Sequence, residues 1–166
     1  MTVPLTSLEA LARYLEDPAH AGVYGLEASH AAGLDAETAG TVGLDWRGLA
    51  SAPFWSREAL LDGLAESLAF PDYFGRNWDA AWDCLTELEW ETGRARVVVV
   101  PVAAADVAAM AAFLELMQDA AEHWASRGHA LTTVILWEGE APSWALELPA
   151  LPLEAPGLSA AGAGLG

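Results

Sequence analysis

The chain has no lysine, and its only basic residues are seven arginines, set against 24 acidic residues for a net charge of −17 over 166 residues. So few cations cannot neutralise a run of phosphates, which excludes direct nucleic-acid binding. An anionic membrane surface would repel the same charge. The single cysteine, Cys84, leaves no internal disulfide framework and no multi-cysteine zinc site, and it fits a reducing compartment. The longest apolar run, residues 97–105, is nine residues long and includes Pro101, far short of a membrane span. The first ten residues lack a basic region followed by an apolar one, so no secretory signal is read there. His20, His30, His123 and His129 show no metal-ligand spacing, and no phosphate loop, nucleophile elbow or dinucleotide fingerprint occurs. These absences leave a soluble, cytoplasmic, acidic protein that needs no cofactor and no metal. Its natural counterpart is a basic protein, because opposite potentials steer association.

The length fits one domain, large enough to fold on its own core. The apolar fraction of 54% is inflated by 35 alanines. Thr6 and Glu9 read as a capping box before a first helix with Leu8, Leu11, Ala12 and Leu15 at helical spacing, which Pro18 stops. Residues 22–27 and 41–46 read as strands, with an Ala-rich stretch between them as a short helix and residues 47–53 as a loop. Ser56 caps a helix to about Ala69, with Leu60, Leu61, Leu64 and Leu68 on one face. Asn77 caps a second helix to about Leu88. Residues 94–102 contain four consecutive valines and read as a strand covered on both faces. Asp106 caps a long helix to about Arg127, with Val107, Met110, Ala111, Leu114, Met117, Ala121 and Trp124 inward and Gly128 as its left-handed cap. Residues 131–137 are the last strand. Residues 141–166 hold four prolines and a Gly/Ala end and read as a largely disordered tail, in which Trp144 and nearby leucines could dock. The alternation predicts an α/β fold: a small, largely parallel sheet of three to four strands packed with helices. Residues 1–40 add a helix and strand to a domain over residues 41–140, with the tail after it.

The chemistry candidates concentrate in residues 70–90, FPDYFGRNWDAAWDCLTELEW. Between Asp72 and Glu91 there are six acids and one arginine, interleaved with Tyr73, Phe74, Trp78 and Trp82 and with the chain's only asparagine, Asn77. Pro71 fixes one φ, and Gly75 is expected to take a positive φ that turns the chain. Asn77 is a favoured N-cap, which places Asp79 in the first turn, where the helix dipole accepts a negative charge. Asp79, Trp82, Asp83 and Thr86 follow i, i+3, i+4, i+7 and share one helix face. On spacing alone this face reads first as a solvated acidic surface. The two carboxylates on one helix do not straddle a cleft as an acid–base pair would. Cys84 points to another face and reads as a small buried hydrophobe.

Residues 71–86, PDYFGRNWDAAWDCLT, resemble the barstar-type ribonuclease inhibitors over about a dozen specified positions without a gap. The order of elements from residue 41 to 137 is similar to that family as well. The resemblance implies an inhibitor, not an enzyme, that plugs the active site of a basic, secreted, guanyl-preferring ribonuclease. It implies that Asp83 takes the phosphate position and Asp79 makes a second acidic contact. Tyr73 would lie over the cleft, Gly75 and Asn77 would offer backbone groups, and Phe74, Trp78, Trp82 and Thr86 would flank them. The family's usual Tyr-Tyr is Tyr73-Phe74 here, and Trp78 stands where a smaller aliphatic residue is common. A family Glu late in the long helix corresponds to His123, with Glu122 beside it. An acidic immunity or adaptor protein with a non-ribonuclease basic partner is the alternative.

Overall fold

A computed structural model describes residues 5–91 and 94–153. A helix α1 (Leu8–Glu16) leads to strand β1 (Val23–Glu27), a short helix α2 (Ala36–Gly40) and strand β2 (Leu44–Gly48). Helices α3 (Arg57–Ser67) and α4 (Trp78–Leu85) precede strand β3 (Ala95–Pro101), and helix α5 (Val107–Ala125) precedes β4 (Leu131–Trp137). The four strands form one parallel sheet in the order β1-β4-β3-β2. From β2 through β3 to β4 the chain steps one strand at a time in one direction. β1 adds a fourth strand beside β4, so the N-terminal helix and strand extend the same sheet.

The valine run explains the layers. Successive side chains of a strand point to opposite faces. Val98 and Val100 therefore join one core with Leu60, Leu64, Met110, Phe113 and Met117 from α3 and α5. Val97 and Val99 join the other, with Leu11 and Leu15 of α1 and Leu44. A parallel strand covered on both faces has no polar side to show.

Several boundaries differ from the sequence expectation for local reasons. The side chain that caps α1 is Ser7, not Thr6: its oxygen accepts from the Ala10 N–H at 3.1 Å. The second strand begins at Leu44, because α2 unwinds through turns ending at Gly43, with φ +83°. α3 stops at Ser67 and Ala69 takes φ +54°. α4 ends at Leu85, where the Thr86 hydroxyl donates to the Asp83 carbonyl at 3.0 Å. On α5 the predicted inward face is rotated: Val107 and Ala111 are exposed and Leu114 is half-buried, while Phe113 and Leu116 turn inward.

The stretch expected as a tail packs on the domain as far as residue 153. Its Pro149 carbonyl accepts from the Gly25 N–H at 2.9 Å, and Ala150 and Leu153 bridge Gly25 and Leu5. Ala145, Leu151 and Leu153 are buried, and Trp144 packs on the core. The strap covers the outer edge of β1, an otherwise open row of backbone groups. The remainder of the predicted tail, residues 154–166, lies outside the described residues.

Candidate functional site

The loop 71–77 and α4 are built from local rules and then clamped. Asn77 caps α4: its Oδ1 accepts from the Ala80 N–H at 2.8 Å, while its Nδ2 donates to the Gly75 carbonyl at 3.2 Å. Gly75 does not supply the left-handed turn. Arg76 does, with φ +54°. Glycine serves at 75 because of crowding, since a Cβ there would sit 3.3 Å from Asn77 Nδ2 and 3.4 Å from Ala80 Cβ. Arg76 reaches back to α3, its Nη2 lying 2.6 and 2.7 Å from the two Asp62 carboxylate oxygens. Arg57 of α3 donates to the Arg76 carbonyl at 3.5 Å.

Behind the loop, Phe74 packs its ring edge-on against Phe70 at 5.1 Å and rests on the core. Tyr73 points out of the loop and is 81% exposed. On α4, Asp79 and Asp83 are exposed, Trp82 and Thr86 half-buried on the same side, and Trp78 half-buried against the core. Ala81, Cys84 and Leu85 form the buried face. The Cys84 thiol is pushed up by burial, then by Glu87 and Asp83, which disfavours the reactive thiolate.

α5 fixes the far end of α4. The buried Trp124 donates its indole N–H to the Leu85 carbonyl at 2.8 Å. Trp82 meets His123 edge-on at 5.7 Å. These two contacts join α4 to α5, and no short sequence motif could have signalled them. His123 and Trp82 are thus brought together across the α4–α5 contact. Glu122 is not: it is exposed and accepts from Gln118 one turn back on its own helix, at 3.0 Å. Burial, followed by the Arg127 guanidinium, holds the His123 imidazole below its usual range.

Acids far outnumber cations over the whole chain, 24 against seven arginines. Arg47, Arg57, Arg76, Arg94 and Arg96 each pair with a carboxylate, namely Asp45, Glu58, Asp62, Glu91 and Asp45 again. Among the described residues, neither Asp79 nor Asp83 pairs with any cation. None of the described histidine, cysteine and acidic residues group into a set of three or more that could hold a metal ion. No described helix is long and apolar enough to cross a membrane.

The face is a rigid, capped helix end that presents two unpaired carboxylates among aromatic rings. Such a face can accept arginine in bidentate geometry, as a phosphate does. Comparison with known proteins agrees with the motif. A Bacillus subtilis (strain 168) protein named "Putative ribonuclease inhibitor YrdF" is 61% identical over 33 residues, which cover 20% of this chain and 36% of that protein. The chain therefore matches only about a third of that relative's length. The family model described as "Barstar (barnase inhibitor)" matches residues 49–135, just over half of the chain and all of the α3–α4–β3–α5 segment that builds the acidic face, and the chain belongs to the barstar family.

Proposed function

We propose that this protein is a cytoplasmic inhibitor of a basic, secreted, guanyl-preferring ribonuclease, acting inside the cell that makes the nuclease. The loop 71–77 and α4 enter the active-site cleft. Asp83 occupies the phosphate position and Asp79 supports it. Tyr73 covers the cleft mouth, the backbone at Gly75 and Asn77 approaches the partner, and Phe74, Trp78, Trp82, Thr86, His123 and Glu122 form the surround. The observation that supports this reading most is the placement of the two exposed carboxylates, Asp79 and Asp83, on one side of a capped helix beside half-buried Trp82 and Thr86, inside the segment that the barstar family model matches. Two like charges at i, i+4 disfavour the isolated helix slightly. A basic partner would relieve that repulsion.

Titration of the protein against a guanyl-specific ribonuclease at low and moderate salt tests the reading. Activity should fall to zero at one equivalent. At a net charge of −17, the association rate should drop steeply between roughly 10 and 300 mM salt, as the Debye length shrinks. No inhibition at either salt, together with capture of a different basic protein, would favour the immunity or adaptor reading suggested by Trp78 and His123.

A further inference from the structure

His123 sits where the two helices of the acidic face meet. Its ring is edge-on to Trp82 of α4 at 5.7 Å and perpendicular to Trp124 at 4.9 Å. Arg127, in the turn that follows α5, places Nη1 3.4 Å from His123 Nδ1. A guanidinium can only donate, so Nδ1 must offer its lone pair and the ring proton belongs on Nε2. The same Nη1 lies 3.1 Å from the His123 carbonyl and 3.2 Å from the Ser126 hydroxyl oxygen, so its two N–H groups are shared among three acceptors. Of these three contacts, the one to Nδ1 requires the neutral imidazole.

The charged groups around it are Asp119 and Glu122 on α5, Arg127 in the turn after it, and Asp79 and Asp83 on α4. Among the described residues no carboxylate pairs with His123, and Glu122 is engaged by Gln118. Beyond Trp124 lies His129, whose ring is 5.6 Å from that indole and stacks on Trp90 at 4.7 Å. A proton placed on His123 meets a guanidinium at once and no adjoining carboxylate.

We propose that His123 is a proton-operated gate on the acidic face, whose neutral ring admits a basic partner and whose protonated ring opposes it. The gate rests on the inhibitor reading above, which sets the partner's cations against α4. Docking would strip water from the ring and add positive charge to that of Arg127, so the complex holds a proton on His123 more weakly than the free protein does. Affinity is then complete above the free protein's His123 midpoint, which already lies below the usual histidine value. It declines as pH falls through that midpoint, by at most about tenfold per pH unit for one proton.

The test measures dissociation constants of the full chain for a guanyl-specific ribonuclease from about pH 8 to about pH 5, a span that brackets ordinary histidine titration. Wild type, His123→Gln and Arg127→Gln are compared. Taking the wild-type to His123→Gln ratio cancels titration of the nuclease itself. The ratio should rise as pH falls, approaching tenfold per unit, and Arg127→Gln should move its onset to higher pH. An NMR titration of the His123 ring should show a midpoint that rises in Arg127→Gln and falls on complex formation. A flat ratio with the nuclease bound throughout overturns the gate and leaves the inhibitor reading standing. A His123 midpoint at or above the usual value in the free chain also overturns it. Absence of binding at every pH sinks the inhibitor reading, and the gate with it.

Discussion

Asp45 and the Asp79–Asp83 pair show two ways this protein uses a carboxylate. On β2, Asp45 is clasped by Arg47 at 2.7 Å and Arg96 at 3.0 Å. Those arginines are themselves held: Arg47 donates to the Ser67 carbonyl at 3.2 Å, and Arg96 donates to the Glu89 carbonyl at 2.9 Å and lies over the Trp90 ring at 4.9 Å. Burial alone would raise the Asp45 carboxyl, but the hydrogen bonds and charges of the two guanidiniums outweigh it and hold the group below its usual range. Asp79 and Asp83 have no such company. Asp45 is held by two guanidiniums at the sheet edge, whereas Asp79 and Asp83 stand exposed on a capped helix with no ion pair among the described residues. Asp45 thus belongs to the sheet edge and Asp79 and Asp83 to the proposed docking face, and mutations can break that division at either end.

The largest expected effect is on binding. Asp83→Ala should weaken the complex with the ribonuclease by about 2–5 kcal/mol, the range for truncating one side of a buried, hydrogen-bonded charge pair. The fold should barely respond, because the Asp83 side chain is exposed and forms no ion pair among the described residues. Calorimetric titration beside thermal melts reads both halves. Undiminished affinity ends the phosphate-mimic reading, and a collapsed melting temperature moves Asp83 into the class of Asp45.

Asp45→Ala should do the opposite. It strands Arg96, whose side chain is only 12% exposed, and stability should fall by about 1–3 kcal/mol, the range for leaving a partly buried polar group unsatisfied. Binding should be unchanged, since Asp45 lies on a sheet strand and not on α4. The pH dependence follows from the lowered folded pKa. The stabilisation is fully present above the ordinary carboxylate value of about 3.9 and is lost as pH falls through the lowered value. Denaturant melts of wild type and Asp45→Ala should therefore converge in acid and stay apart at neutral pH.

What the sequence could show of this contrast depended on range. The caps at Ser56, Asn77 and Asp106 were legible because each is a three-residue event, and all three side chains accept the expected N–H. The β3 and β4 strands were legible because burial on both faces favours β-branched, mostly apolar runs, broken only by Arg96 and the buried Thr132 and Thr133. The motif pointed to α4 for the same reason, since its residues are consecutive. The Asp45–Arg96 clasp, the Trp124–Leu85 bond and the Trp82–His123 contact join residues far apart in the chain, and nothing local marks them. The strap over β1 was misread as tail because its order comes from Gly25 and Leu5, more than a hundred residues away. Its leucines and Trp144, interrupted by three prolines, carry neither helical nor strand periodicity to announce that.

Asn77→Ala addresses the scaffold that makes the unpaired acids useful. It removes the side chain that satisfies the Ala80 N–H. Loss of such a cap lowers stability by about 1 kcal/mol. The first turn, which carries Asp79, should fray, so affinity should fall as well, but less than for Asp83→Ala. Hydrogen exchange at Ala80 and Ala81 should accelerate, whereas β3 amides should keep their protection. Fast exchange spreading into β3 would mean that the cap supports the whole domain instead of one helix end.

Arg76→Gly carries the smallest expected effect and tests where the boundary between the two kinds of charge lies. Arg76 is the cation nearest the acidic loop in sequence, and it pairs with Asp62 through a contact in which both side chains are more than half exposed. Such surface pairs contribute about 0–1 kcal/mol. Against that loss, glycine relieves the φ of +54°, worth about 1 kcal/mol where an L side chain is forced into the left-handed region. Glycine also gains freedom in the unfolded chain, which offsets about 0.5–1 kcal/mol of that relief. These contributions nearly cancel, so the melting temperature should move by no more than a few degrees, the shift that about 1 kcal/mol produces in a domain of this size. Association with a basic nuclease at low salt should nonetheless quicken, because one positive charge leaves the edge of the docking face. A drop in melting temperature beyond that window would show that the Arg76–Asp62 pair clamps the loop to α3 as firmly as the two arginines hold Asp45.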